Sequence, residues 1–444
     1  MTVYKWGAGG AVDAAATTNL TGVVVAGLAT GGYVVTWQTG PSATNQSIQG
    51  QVYDAAGNAV GGVFTASTGT LDFAPSIAGL SNGGFAISWT DDPTGNGTAD
   101  TTQTEIYGAN NQAISGPTTS TDLFAGDKND IDSSTVAIPG GDGTGFNVIH
   151  FAATGNHFNY ASFSNTSSNG VEGATTPTGT ASAVTASTSY SGSEFVAVMI
   201  DTIANNPEVD VLFGLFGSFT KVNTTMGTVT PFLADPQVAG LINGDAAVVW
   251  QENSGPAPDT DGLSIHGQIM APNGTKVGSE FTVETEAAGN QQNPSVTALQ
   301  DGGFVVTWQT NASGINYIDG QEYDINGNRV GFEFTVNSQS ASGQTNPSIS
   351  QLADGRLIVA WETPNGVVTG IHSQILDPRN GVIQGPLSGP GATLYGSFFG
   401  NSEIIAGSGN NVLIALTGNN LMYGGSGNDV FYGGPGVDTM YGGA

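Results

Sequence analysis

Gly302-Gly303-Phe304-Val305-Val306-Thr307-Trp308 decides the fold, because near-copies of it recur along the chain. They read Gly31-Gly32-Tyr33-Val34-Val35-Thr36-Trp37, Gly83-Gly84-Phe85-Ala86-Ile87-Ser88-Trp89, Asp245-Ala246-Ala247-Val248-Val249-Trp250 and Gly355-Arg356-Leu357-Ile358-Val359-Ala360-Trp361. Two degenerate copies, Gly145 to Phe151 and Glu194 to Ile200, bring the number to seven. Around the first copy, Asn293 to Asn337 reads as four short strands. Pro294 to Leu299 alternates, Phe304 to Trp308 is densely apolar, Ile318 to Asp324 follows a variable loop, and Val330 to Val336 follows the Asn326-Gly327 hairpin signal.

The copies end at residues 37, 89, 151, 200, 250, 308 and 361, intervals of 49 to 62 residues. Four antiparallel strands in such a unit make a propeller blade, so the chain is expected to be all-β: a seven-bladed β-propeller followed by a short parallel β-roll. A closed ring removes the open sheet edges a solenoid would leave, and Thr2 to Trp6 is the leftover segment available to close the last unit. The expected domains are residues 1–389 for the propeller and 390–444 for the roll.

Of the 444 residues, 36 are acidic and 7 basic, giving a formal net charge of -29. Such a surface repels nucleic acid and anionic membranes and attracts divalent cations. No cysteine is present, which removes disulfides, thiolate metal sites and cysteine nucleophiles. No apolar run is long enough to cross a bilayer, and Met1 to Gly7 lacks the features of a secretory signal.

After Gln384-Gly385-Pro386-Leu387-Ser388-Gly389-Pro390-Gly391, which reads as a linker, a nine-residue period begins at Gly400 and continues at Gly409, Gly418, Gly427 and Gly436. Two stretches, Gly424-Gly425-Ser426-Gly427-Asn428-Asp429 and Gly433-Gly434-Pro435-Gly436-Val437-Asp438, resemble the calcium-binding repeats of the RTX family of secreted bacterial proteins. Glycines let the backbone present carbonyl oxygens, and an aspartate adds the charge that a hard cation needs. The resemblance implies a parallel β-roll and calcium as cofactor, with Gly425, Gly427 and Asp429 in one turn and Gly434, Gly436 and Asp438 in the next. It also implies extracellular or cell-surface placement by signal-peptide-independent secretion. Two earlier registers depart from the pattern, with Asn411 and Asn420 where it has aspartate.

Long acidic loops offer further oxygen donors: Asp91, Asp92 and Asp100 after the second copy, Asp259 and Asp261 after the fifth, and the stretch Asp127 to Asp132. None has the full ligand order of a known calcium loop, and a solvated loop is the weightier reading. Trp37, Trp89, Trp250, Trp308 and Trp361 end equivalent strands and so read as packing between blades rather than sugar platforms. Four histidines occur; His266 and His372 occupy equivalent repeat positions, and neither a His-Glu-x-x-His helix nor a Gly-x-Ser-x-Gly elbow is found.

With no contiguous catalytic motif, the sequence favours a non-catalytic, calcium-associated binding or adhesion protein over an enzyme. Its expected partner is a carbohydrate or a cell-surface or matrix component, met by the loop face. Two alternatives stand beside it: a self-associating surface-layer or matrix subunit, and an enzyme acting on polysaccharide. The latter requires a convergent polar cluster in the central channel.

Overall fold

The computed structural model describes residues 4–12, 18–42, 45–67, 69, 71–92, 101–114, 118–119, 130–137, 146–152, 157–163, 173–175, 180–188, 195–203, 206–213, 218–224, 232–253, 262–285, 288–300, 302–311, 314–337, 343–365, 368–378, 382–384, 391, 393–395, 403–415 and 419–443. All regular structure among them is β. Seven four-stranded antiparallel sheets are the propeller blades, and two parallel sheets make the roll.

The best-formed blade, the sixth, comprises Gln291–Ala298, Phe304–Thr310, Tyr317–Tyr323 and Arg329–Thr335 in sequence order. Its first hairpin turns at Gly302, whose φ of +105° lies where only glycine is unstrained. The Phe304–Thr310 strand is buried along its whole length, which accounts for its unbroken apolar run. Trp308 is fully buried with Phe304, Val306 and Tyr323 in a core that also takes Leu241, Val249 and Ile265 from blade 5. Trp37, Trp89 and Trp250 are likewise 0–2% exposed, and Trp361 is 5% exposed. Burying a ring of that size contributes about 4–6 kcal/mol of transfer free energy, so the repeated tryptophans are blade packing.

The innermost strands run in order around the ring: Asn19–Gly27, Asp72–Gly79, Asp130–Ala137, Thr180–Thr188, Leu233–Gly240, Gln291–Ala298 and Thr345–Gln351. Each contacts the next, and Thr345–Gln351 contacts Asn19–Gly27 again, which closes the ring. The seventh sheet takes Tyr4–Ala11 as its outermost strand, next to Val368–Asp377, as the leftover N-terminal segment leads one to expect. Bonds between blades recur at equivalent places. The Tyr323 hydroxyl donates to Val283 O at 2.7 Å, and the Tyr53 hydroxyl donates to Val12 O at 3.1 Å.

Two compact units result, each contiguous in space but not in sequence. One is Gly9–Ala353 with Ile358–Ser373; the other is Met1–Ala8 with Asp354–Leu357 and Gln374–Ala444. Within the second, the roll alternates between two sheets. Val382–Gln384, Glu403–Ile405, Leu421–Tyr423 and Thr439–Tyr441 form one, and Thr393–Tyr395, Val412–Ile414 and Val430–Tyr432 the other. Residues 382–384, which the sequence leaves in the last propeller unit, therefore pair in parallel with Glu403–Ile405; Tyr4–Ala11 fills the fourth-strand place in blade 7. Leu394, Ile404, Leu413 and Met422 are buried between the sheets, one per nonapeptide.

Candidate functional site

One irregularity repeats around the channel. The innermost strand of blades 1, 2, 5 and 6 slips register at a bulge, between Thr21/Val24, Phe73/Ser76, Ala234/Gln237 and Gln292/Ser295. The first bulge residue has positive φ: Gly22 at 60°, Ala74 at 51°, Asp235 at 50°, Asn293 at 51°, with Asn346 at 53° in blade 7. Proline follows at 75, 236, 294 and 347, where a bulge tolerates the loss of a ladder donor. The N–H of the bulge residue is held by the residue after the signature tryptophan of the preceding blade. Ala74 N donates to Gln38 Oε1 at 3.3 Å, Asn293 N to Gln251 Oε1 at 3.1 Å, and Gly22 N to Glu362 Oε1 at 2.8 Å.

The bulges of blades 1, 5, 6 and 7 border a cavity of about 430 Å³, lined on its polar side by Asp235, Gln237, Asn293, Ser295, Asn346, Ser348 and Glu362. Asn346 Nδ2 donates to Glu362 Oε2 at 3.0 Å and Asn293 Nδ2 donates to Asn346 Oδ1 at 2.6 Å, so that with the Gly22 N–H on Glu362 three blades share one hydrogen-bonded string. The two carboxyls differ in surroundings. Burial pushes the Asp235 carboxyl up. Burial also raises Glu362, but the Gly22 N–H and the Asn346 amide pull the other way by favouring its charged form. Both carboxyls are raised, and Glu362 is the one whose hydrogen bonds favour its charged form. Unequal environments of this kind divide acid from base.

Reading the sequence residue by residue misses both groups, although the repeat carries the signal. Among the tryptophan-ended copies, the next residue is Gln38, Thr90, Gln251, Gln309 or Glu362, and only the last is acidic. Asp235 stands where the bulges of blades 1, 2, 6 and 7 have Gly22, Ala74, Asn293 and Asn346, and where blades 3 and 4 have Asp132 and Ala183. Asp132, from the third acidic stretch, falls in the register shift of Asp130–Ala137.

The acidic-loop candidates distribute differently. Asp91 pairs in register with Asp72 on the neighbouring strand; burial raises its carboxyl, and Asp72 and Asp92 add to the rise. Asp92 is buried, at 3% exposure. Asp100, Asp259 and Asp261 lie outside the described residues.

His266, expected as a bland repeat position, sits in a charged triad. Its Nδ1 is 3.0 Å from Glu280 Oε1 and its Nε2 is 3.5 Å from Glu252 Oε1, with ligand atoms of all three residues within 4.8 Å of one another. Because the carboxylates lie against opposite ring nitrogens, the arrangement suits an imidazolium between two anions better than one cation held by all three groups. Burial opposes that charge, but the Glu280 hydrogen bond and the Glu252 carboxylate raise His266 overall. Glu280 is held below its usual range despite burial, through the bonds from His266 and from Thr224 N–H.

In the roll, each aspartate stacks on the turn two registers earlier. Asp429 Oδ1 accepts from Asn411 N at 2.9 Å and Asn411 Nδ2 at 2.9 Å, and Asp438 Oδ1 accepts from Asn420 N at 3.0 Å and Asn420 Nδ2 at 2.7 Å. Asp429 precedes a strand of one sheet and Asp438 a strand of the other, so their turns, with Gly425 and Gly427 or Gly434 and Gly436, occupy opposite sides. Asp429 Oδ2 is buried with no hydrogen-bond partner. It faces Gly424, where a Cβ would come within 2.5 Å of it and 2.9 Å of Gly442 O. An orphaned carboxylate oxygen and a carbonyl converging on a space without a side chain fit a hard cation.

The array over residues 405–440 matches the family of RTX calcium-binding nonapeptide repeats, in four copies. This segment is an RTX repeat array. Its ion is calcium. RTX arrays are typical of secreted proteins, and no helix of the described residues is long and apolar enough to cross a membrane. No curated protein matches this chain.

Similar solved structures include the β-propeller domain of the Trilobed protease from Pyrococcus furiosus, at 8% identity over 80% of this chain and 95% of that one, TM-score 0.49. Others are the α-L-arabinanase of Penicillium chrysogenum, at 10% over 85% and 99%, TM-score 0.44, and an ulvan lyase, at 10% over 80% and 93%, TM-score 0.48. Likeness at this level shows the fold alone. Glycoside hydrolases and polysaccharide lyases are among the chains that share this fold, so the expectation of a non-catalytic binding or adhesion protein does not stand. That expectation rested on the lack of a contiguous catalytic motif. A ring that supplies one residue per blade needs none.

Proposed function

We propose that this chain is a glycan-cleaving enzyme whose site is the channel cavity, with Asp235 as general acid and Glu362 as general base or nucleophile. The observation that carries this reading is the pair of carboxyls in one cavity, both raised by burial and one of them, Glu362, bonded to two donors that favour its charged form. In glycoside cleavage a protonated carboxyl donates to the leaving oxygen while a carboxylate acts on the opposite face of the sugar ring. Asp235 and Glu362 fit those roles. Asn293 and Asn346, on rigid inner strands, orient Glu362 and offer amides to sugar hydroxyls.

Among the described lining residues the only charged groups are these two acids. A uronate or sulfated chain would meet uncompensated negative charge, so the substrate class is a neutral glycan. Secretion typical of RTX proteins would place that glycan outside the cell. Calcium belongs to the roll and not to the channel cavity.

The test incubates the calcium-loaded chain with neutral and acidic polysaccharides and measures new reducing ends. Release from neutral chains, lost in Asp235→Asn and in Glu362→Gln, is expected. Release unaffected by both substitutions, or none from any neutral chain, overturns the reading.

A further inference from the structure

We infer that the side-chain amides of Asn411 and Asn420 stand in for a cation in the roll, so that the Asn411–Asp429 and Asn420–Asp438 rungs hold without metal and calcium is left to the opposite side of each aspartate.

Asn411 is 2% exposed, and its Nδ2 lies among four oxygens: Gly409 O at 3.0 Å, Gly424 O at 3.1 Å, Gly407 O at 3.4 Å and Asp429 Oδ1 at 2.9 Å. Three of these are backbone carbonyls and the fourth is a carboxylate. All accept and none donates, so the nitrogen of the amide and not its oxygen must face them. The set is a cation's ligand set, gathered from turns 18 residues apart, with an –NH2 group at its centre. The distances fit N–H···O bonds and exceed the roughly 2.3–2.6 Å of calcium to oxygen.

The backbone repeats the point. Asp429 Oδ1 takes both the N–H and the amide of Asn411, which uses that oxygen fully, and Asp438 Oδ1 does the same with Asn420. The second oxygens point elsewhere. Asp429 Oδ2 faces Gly424 and Asp438 Oδ2 faces Gly433, where a Cβ would approach within 2.5 and 2.4 Å. An aspartate at 411 or 420 would bring a second anion beside Asp429 or Asp438, and only a cation could then fill the cradle. Asparagine there makes the rung neutralise itself.

The experiment counts bound calcium per full-length chain by metal analysis after equilibrium dialysis, and follows amide hydrogen exchange of Val412 to Ile414 with calcium and with chelator. In the wild type, protection of these amides is expected to survive the chelator. Asn411→Asp and Asn420→Asp should each raise the calcium count by one. Asn411→Leu should keep the wild-type count while speeding exchange of the three amides at least tenfold in both conditions. The inference is overturned if Asn411→Leu loses a calcium ion, if neither aspartate variant gains one, or if chelation alone removes the wild-type protection. That last measurement needs no variant and stands even where one fails to fold.

Discussion

Glu362 Oε1 accepts the Gly22 N–H at 2.8 Å across 340 residues of chain, and the same carboxyl lines the channel cavity. One side chain thus ties blade 7 to blade 1 and faces the space where a substrate would sit. The two roles separate by substitution. Glu362→Gln keeps an oxygen for Gly22 but loses the charge, so cleavage should fall about 10²–10⁴-fold with little change in Tm. Glu362→Ala also strands the Gly22 N–H and the Asn346 amide, and should cost about 1–3 kcal/mol in addition. Paired activity and thermal-unfolding measurements check both.

The Asp210 carboxyl is pushed up to about 7, by burial first and then by Glu208 and Asp201, with Lys221 opposing. Its folded pKa lies above the unfolded value near 4, so the folded state takes up a proton that the unfolded state does not. Stability from this group is full at low pH and is lost as pH rises from about 4 to about 7. Asp210→Asn should raise Tm at pH 8 and leave it unchanged at pH 4; equal effects at both pH values would sink the assignment.

For His266 the folded pKa is raised above the usual 6.5. Its stabilisation is complete below the unfolded value and disappears as pH climbs through the folded one. His266→Phe leaves Glu252 and Glu280 buried without their counter-ion and should cost about 3–5 kcal/mol near neutrality. Urea denaturation at pH 6 and pH 9 would show the penalty shrinking at the higher pH.

Ala74 holds a φ of 51° without a side chain suited to that region. Ala74→Gly should therefore stabilise the chain by about 1 kcal/mol, read as a higher urea midpoint at constant m.

Calcium withdrawal should act on the roll first. Asp429 Oδ2 has no hydrogen-bond partner, so an ion bound there would supply the one it lacks. Chelation is expected to lower the first unfolding transition, and Asp429→Ala, which also removes the Asn411 rung, to lower it further, each leaving the transition of the propeller in place, as calorimetry would show.

The seven blades were legible in the sequence because Gly302 to Trp308 and its relatives concentrate their signal locally: a turn glycine, an apolar run and a terminal tryptophan. The roll was legible for the same reason, through its nine-residue period. The channel site was not. Asp235 and Glu362 lie in different blades, and each looks ordinary beside its chain neighbours. They stand out only when the blades are superposed, as an acid where blades 1, 2, 6 and 7 have glycine, alanine or asparagine, and the acid at a position that is glutamine in three copies. The contacts of Asn411 likewise depend on which turns stack, and parallel strands set that at 18 residues rather than nine.

The bulge before each channel proline has a consequence for how such a ring can change over time. Because the kink is set by the backbone, the residue at its apex can vary, as glycine, alanine, aspartate and asparagine at 22, 74, 235, 293 and 346 attest. Every blade therefore offers an interchangeable address on the channel wall. A new chemistry could be written there by a single codon, one blade at a time, while the scaffold that holds it stays untouched.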